Sequence, residues 1–205
     1  MSQTNNKIEI SLTDFVDFVS KSGSPKLTKV KEVKNRDEYS PATDFYKAFR
    51  EGVIKIHKAN GDKKMLVDIQ NNIKDVKKIN NYLSTIEGYK KFWGRKKITW
   101  LDTLFTHWVV GDLDVRINPE LGLEIDENFY IIKMYLKSDP LSKSKVEQIL
   151  TLLESQLRPL TEKEVIFGVL DVKNSKLHCN SNKDINLISL LEGEARCFES
   201  IWKNN

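Results

Sequence analysis

Hydrophobic and polar residues alternate along two neighbouring segments in the middle of the chain, Leu113–Ile117 and Leu121–Ile125. This two-residue period is typical of a strand that is buried on one face. Asn118-Pro119-Glu120 separates the two segments, because proline fixes φ and has no backbone N–H to donate to a ladder. After a short turn, Phe129–Lys137 is rich in β-branched and aromatic residues and predicts a third strand. We therefore predict that residues 113–137 form a three-stranded antiparallel meander.

The segments on either side follow a helical period. Apolar residues recur at helical spacing over residues 45–56, 62–83, 146–157 and 187–202. Residues 105–110 and 165–172 read as further strands. The sequence thus predicts an α+β protein, with a helical N-terminal half followed by a mixed central sheet in the order βββ-α-ββ-α, flanked by helices. We expect a single domain over 1–205, in which 1–100 is mainly helical and 101–205 is the α/β core.

The predicted turn between the second and third strands fixes which side chains share a face. Closing it symmetrically pairs Asp126 with Phe129, and counting back makes Glu124 a diagonal neighbour of Lys133 on one face of the sheet. Lys137 continues the same face. A meander with a three-residue first turn would also bring Asp114 to this face, whereas a two-residue turn would not.

Carboxylates beside a lysine suggest metal-dependent chemistry. Glu124, with Asp114 or Glu120, would hold Mg²⁺, and Lys133 would orient the attacking water. We therefore take Glu124, Lys133 and Asp114 as catalytic candidates, and Glu124, Asp114 and Glu120 as metal ligands. The same residues also fit a solvated sheet face with cross-strand ion pairs, each worth under about 1 kcal/mol.

The charge is distributed unevenly along the chain. Residues 1–100 contain 21 Lys/Arg and 12 Asp/Glu, whereas residues 101–205 contain 12 and 17. Within the basic half, residues 89–100, the basic-aromatic segment, place aromatic rings beside cations, as a nucleic-acid surface requires. The candidate nucleic-acid-binding residues are Lys90, Lys91, Arg95, Lys96 and Lys97, with Lys137 from the predicted sheet face. Alternatively, the rings belong to the core and the lysines are ordinary solvated residues, because helical spacing would bury Tyr89, Phe92 and Trp93 together.

Other classes of protein receive no support from the sequence. No run approaches the roughly 18 apolar residues of a membrane helix, and the first residues lack the apolar stretch of a signal peptide, so we expect a cytoplasmic protein with no membrane partner. Cys179 and Cys197 have no metal-ligand spacing. There is no glycine-rich phosphate loop and no nucleophile elbow, and His57, His107 and His178 are scattered along the chain.

Two resemblances add to this interpretation. VRINPELGLEI, followed by IIKMYLK and DPLSK, resembles an uncharacterised family of bacterial cytoplasmic proteins, a likeness that spans most of the chain and implies no known activity. The predicted order of elements after residue 105 resembles the core of the PD-(D/E)XK nuclease-like fold. That likeness implies that Glu124 stands for the acid of the second strand and Lys133 for the lysine of the third. Ile131 occupies the place of the middle acid.

These observations leave two main hypotheses for function, with an unrelated α/β enzyme as a third. In the first, the protein binds or processes nucleic acid, with Mg²⁺ at Glu124 and with Lys133 near the scissile phosphate. In the second, it is a non-enzymatic interaction module that contacts a protein partner through the sheet face or the basic-aromatic segment.

Overall fold

The computed structural model describes residues 7–36, 44–71, 76–161, 164–179 and 185–205. Its helices are α1 (Leu12–Val19), α2 (Ser24–Lys34), α3 (Lys47–Lys58), α4 (Leu66–Asn71), α5 (Val76–Trp93), α6 (Lys143–Leu157) and α7 (Ile185–Lys203). Its strands are β1 (Ile8–Ser11), β2 (Ile98–Leu101), β3 (Thr106–Val110), β4 (Leu113–Ile117), β5 (Leu121–Ile125), β6 (Asn128–Tyr135), β7 (Ile166–Asp171) and β8 (Lys176–Cys179). The predicted α+β class, with a helical N-terminal half before most of the strands, is confirmed.

The strands form two sheets instead of one. The three-stranded sheet has the order β1-β4-β3, and the five-stranded sheet has the order β2-β5-β6-β7-β8. Each sheet mixes parallel and antiparallel pairs: β1 runs parallel to β4, and β6 runs parallel to β7 with α6 as the crossover. The remaining pairs are antiparallel.

The predicted meander over residues 113–137 is therefore wrong in its first strand. β4 pairs with β3 on one side and with β1 on the other, so no edge of β4 is left for β5. The β3–β4 hairpin closes tightly at Gly111-Asp112, where Gly111 has φ +61°. Ile8 and Ile10 of β1, which precede every predicted helix, cover the other edge of β4 and are buried. The chain after Ile117 then enters the five-stranded sheet.

The β5–β6 hairpin forms as predicted, but its register differs by two residues. The turn is Asp126-Glu127, and both residues have positive φ, as a two-residue hairpin turn requires. Ile125 consequently pairs with Asn128, and Glu124 with Phe129. Because strand side chains alternate with a period of two, a slip of two residues preserves the face on which each side chain lies.

The two faces of the five-stranded sheet are covered by different cores. One core joins this sheet to α3, α4 and α5, and includes Phe49, Tyr89 and Leu123. The other joins the opposite face to α1, α2, α6, α7 and the inner face of the three-stranded sheet. Helix α6 packs against β7 of one sheet and against β3 and β4 of the other. Both cores draw on residues before and after position 100.

Helix α5 crosses the end of β7 at very short range. A Cβ on Gly88 would lie 2.1 Å from the carbonyl oxygen of Val172, so only glycine allows the two elements to approach this closely. In the described part of the chain, every helix is either too short or too polar to cross a bilayer.

Candidate nucleic-acid interface

The aromatic rings of the basic-aromatic segment lie in the core. Tyr89, Phe92 and Trp93 are all buried, and the ring of His57 stacks on that of Trp93 at 4.3 Å between centroids. Trp100 is partly covered and lies 5.3 Å from the ammonium group of Lys58. The rings of Tyr89, Phe92 and Trp93 therefore anchor α5 to α3, and these three rings are not available for stacking bases.

The cations of the same segment are exposed. Lys90 and Lys91 lie in the last turn of α5, and Gly94, with φ +55°, ends that helix and turns the chain into a short connection to β2. Arg95, Lys96 and Lys97 occupy this connection, and all five side chains reach solvent.

Residues 55–64 supply further cations, and two of these, Lys58 and Lys63, contact the basic-aromatic segment. The C-terminal end of α3 supplies Lys55 and Lys58, and the segment after it supplies Lys63 and Lys64. The ammonium group of Lys63 donates to the carbonyl oxygen of Gly94 at 2.6 Å, which ties this segment to the end of α5. We call the combined surface the basic end; it consists of Lys55, Lys58, Lys63, Lys64, Lys90, Lys91, Arg95, Lys96 and Lys97.

Fewer acids than cations lie in and beside these segments. The exposed ones are Glu51, Asp62, Asp68, Glu87 and the two turn residues, Asp126 and Glu127. Glu87 lies 3.3 Å from Lys90, and the carboxylate of Asp126 accepts the backbone N–H of Lys97 at 3.2 Å. The basic end thus carries more positive than negative charge. Some of that charge also suits the negative ends of the α3 and α5 dipoles.

The predicted carboxylate–lysine site is not assembled around Glu124. Glu124 and Lys133 lie on the same face, as predicted, but Glu124 is opposite Phe129. Lys133 is four residues further along β6, which corresponds to roughly 13 Å along the strand. Glu124 therefore cannot be the diagonal neighbour of Lys133.

Lys133 pairs instead with Glu120. Its ammonium group lies 2.6 Å from Oε1 of Glu120 and donates to the carbonyl oxygen of Asn118 at 3.2 Å. Oε2 of Glu120 accepts the backbone N–H of Met134 at 2.7 Å. Both side chains are largely buried, with 15% of Glu120 and 9% of Lys133 exposed. The pair ties the start of β5 to the middle of β6.

Asp114 lies on the other sheet, with different partners. It is fully buried, and Oδ1 lies 2.6 Å from Nδ1 of His107. Oδ2 contacts the ammonium group of Lys7. Burial acts to raise the pKa of Asp114, but the hydrogen bonds from Lys7 and His107 outweigh it and hold the pKa below its ordinary value.

Sequence reasoning missed the pairing of His107 with Asp114. The signal was present, because Gly111-Asp112 between two apolar alternating segments predicts a two-residue hairpin. Such a turn places Val109 opposite Asp114 and makes His107 a diagonal neighbour of Asp114. The histidine could have been assigned to this face from that turn alone.

The last candidate residue, Lys137, lies away from the basic end and has its own partner. Its ammonium group contacts the carboxylate of Asp17, which also lies 3.2 Å from Lys145. Asp17 therefore joins α1 both to the end of β6, through Lys137, and to the start of α6, through Lys145.

The three proposed metal ligands are distributed over separate neighbourhoods. Asp114 lies in the three-stranded sheet, Glu120 is bound to Lys133, and Glu124 is opposite Phe129. In the portion of the chain that the structure describes, no three His, Cys, Asp or Glu side chains are grouped so that they could hold a metal ion.

Neither the known protein families nor the curated proteins contain a match to this chain.

Proposed function

We propose that this protein binds nucleic acid through the basic end, and that it does so by contacting phosphates. The observation that carries the proposal is that two stretches of the chain rich in solvent-reaching Lys/Arg, residues 55–64 and 90–97, are held together by the contacts of Lys63 with Gly94 and of Lys58 with Trp100. Cations gathered on one surface release the counterions condensed on a phosphate backbone, which is the main source of sequence-independent affinity.

The proposal favours a double helix over a single strand at this surface. Proteins that hold single strands without sequence preference combine cations with exposed rings on which bases stack. Here Tyr89, Phe92 and Trp93 are buried, and the partly covered Trp100 already contacts the ammonium group of Lys58, so the basic end offers charge without a fully exposed ring for stacking. Phosphates carry no sequence information directly, so we expect little preference among duplex sequences.

Binding is proposed here in preference to metal-dependent cleavage. A metal-dependent site would require carboxylates that converge on one ion, and Asp114, Glu120 and Glu124 have separate surroundings. Addition of Mg²⁺ to the binding experiment tests the cleavage hypothesis as well.

The experiment measures affinity for a fluorescent DNA duplex over a series of salt concentrations. The test variant combines Arg95→Ala, Lys96→Ala and Lys97→Ala. Its matched control combines Lys21→Ala, Lys31→Ala and Lys143→Ala, which removes three exposed charges from other surfaces. We expect the test variant to bind more weakly and to flatten the plot of log K against log salt by up to roughly 2.7 units, at about 0.9 per phosphate contact. The control should keep the slope of the wild type.

Two results would overturn the proposal. One is the absence of duplex binding at low salt, and the other is an equal loss of affinity in both triple variants, which would reflect net charge alone. Incubation of the duplex with Mg²⁺ provides a further arm. Cleavage by the wild type that disappears in Glu124→Gln would favour the metal-dependent hypothesis over simple binding.

A further inference from the structure

The outer face of the three-stranded sheet is open to solvent. Residues on its inner face, such as Ile10, Trp108 and Val115, are buried in the core. The alternate residues point away from that core. We call this surface the open face; its side chains are Lys7, Glu9, Phe105, His107, Val109, Asp114 and Arg116.

Two rings lie side by side on the open face. Phe105 is 56% exposed, and its ring meets that of His107 edge-on, with 4.8 Å between centroids and 88° between planes. His107 keeps 37% of its side chain exposed. Phe105 directly precedes β3, and the neighbouring Val109 of β3 is also about half exposed, at 53%. Phenylalanine and histidine are both rings on which nucleic-acid bases stack.

His107 is held in a fixed orientation. Its Nδ1 lies 2.6 Å from the buried carboxylate of Asp114, which Lys7 also contacts. A ring that is already fixed loses little conformational entropy when a ligand stacks on it. Nε2 of His107 has no hydrogen-bond partner among the described residues, so it is free for a ligand.

A cation lies directly beside the rings. Arg116 is opposite His107 in the β3–β4 pair, it is exposed, and it forms no ion pair with any residue that the structure describes. Glu9 is the exposed acid of this face, whereas the charge of Asp114 is buried and matched by Lys7. The guanidinium group of Arg116 is thus free to bind a phosphate.

We propose that the open face binds single-stranded nucleic acid, with one base stacked on the ring of Phe105, another on the ring of His107, and the adjoining phosphate bound by Arg116. Exposed sheets that carry aromatic residues are a common platform for single strands. The inference rests on the proposed function only in taking nucleic acid as the ligand, because it concerns a different surface. It supplies the stacking that the basic end lacks.

The test combines nuclear magnetic resonance with affinity measurements on the full chain. The chain has three histidines, so the imidazole resonances are few, and His57 and His178 serve as internal references. Addition of a short single-stranded RNA should shift the His107 ring protons upfield, because a stacked base shields them, and should leave the other two histidines unchanged.

Variants of the open face give the second readout. Phe105→Leu keeps an apolar side chain but removes the ring, and it should weaken single-strand binding by about tenfold, within the range expected for one stacked base. Arg116→Ala should weaken the same binding, whereas Arg196→Ala, an exposed arginine of α7, should not. Duplex binding by the basic end should be the same in all three variants.

The outcomes separate the two proposals. Unshifted His107 protons, or single-strand affinities in Phe105→Leu and Arg116→Ala equal to that of the wild type, would overturn the inference about the open face. Duplex binding that persists in the same experiments would leave the basic end unaffected. If duplex binding is lost in the lysine and arginine variants of the basic end while the open-face effects persist, both proposals are supported.

Discussion

Two buried carboxylates, Glu120 and Asp114, are each paired with a cation, and the two clusters differ in how far their partners reach into solvent. Lys133, the partner of Glu120, has 9% of its side chain exposed. The partners of Asp114, His107 and Lys7, have 37% and 50% exposed. In the first cluster, the side chains of Glu120 and Lys133 form their hydrogen bonds with each other and with backbone groups of the protein. In the second, a buried acid fixes groups that a ligand can still contact.

This difference separates a structural ion pair from a candidate binding site. Both clusters place a carboxylate beside Lys or His, which are residue types typical of catalytic sites. Glu120 and Lys133 use their remaining hydrogen bonds on Met134 and Asn118, which are backbone groups of neighbouring segments. The types of side chain therefore do not distinguish a structural ion pair from a binding site, whereas the exposed fraction of the carboxylate's partner does.

The largest effect is expected where the comparison is sharpest, at Glu120. Glu120→Ala leaves Lys133 buried without its partner, and we expect the free energy of unfolding to fall by about 3–5 kcal/mol. Urea unfolding measures this change. The double variant Glu120→Leu/Lys133→Met removes both charges and should recover most of the loss. If Glu120→Ala were as stable as the wild type, the pair would not hold β5 to β6.

His57 extends the comparison to a buried titratable group whose ring packs against aromatic side chains instead of a carboxylate. His57 is buried beside Tyr89 and Trp93, and burial lowers its pKa to about 4 from about 6.5. Since the folded state resists protonation, stability is fully present above pH 6.5 and is lost as the pH falls toward 4, by up to roughly 3 kcal/mol. Urea unfolding between pH 7 and pH 4 tests this.

The matched variants for this prediction are His57→Gln and His107→Gln. The loss between pH 6.5 and 4 should shrink in His57→Gln and persist in His107→Gln. Burial also lowers the pKa of His178, so the difference between wild type and variant isolates the contribution of His57. An unchanged pH dependence in His57→Gln would contradict the prediction.

An intermediate effect is expected at Asp114. Asp114→Asn keeps the shape of the side chain but weakens its charged hydrogen bonds to His107 and Lys7, and should lower the free energy of unfolding at neutral pH by about 1–3 kcal/mol. The pKa of Asp114 is lowered in the folded state, so this contribution is lost as the pH falls below about 4 and through that lowered pKa. Thermal unfolding of the variant and of the wild type at neutral and acidic pH measures it. Equal stabilities at neutral pH would show that the cluster does not join the strands.

The smallest effect is expected at Glu124, which has neither a buried partner nor a place in either cluster. Glu124→Gln should change the free energy of unfolding by no more than about 0.5 kcal/mol. Thermal unfolding with and without Mg²⁺ adds a direct comparison with the metal hypothesis. A rise in melting temperature with Mg²⁺ in the wild type, absent in Glu124→Gln, would identify Glu124 as a metal ligand.

The local pattern of hydrophobic and polar residues determined which segments form strands and helices and which of their faces are buried, because these features follow from the geometry of the backbone. Alternation over residues 121–125 and 129–135 correctly gave two paired strands with Glu124 and Lys133 on one face. Helical spacing correctly buried Tyr89, Phe92 and Trp93 together and left the lysines between them in solvent. These outcomes depend only on periods of two and 3.6 residues, which the chain carries in its own order.

Partners and distances depended on the tertiary structure. Alternation states which face of β4 is buried, but it does not state whether β5 or β1 lies beside it. Because β4 pairs with β1 and not with β5, Asp114 lies in a different sheet from Glu124. The two-residue turn at Asp126-Glu127 sets the hairpin register that places Glu120, instead of Glu124, opposite Lys133. Lys97, from a distant segment, exchanges backbone and side-chain hydrogen bonds with this turn. Long-range contacts of this kind decided the candidate sites. A site requires side chains from distant segments to lie together, and which segments do so depends on the packing of the whole chain.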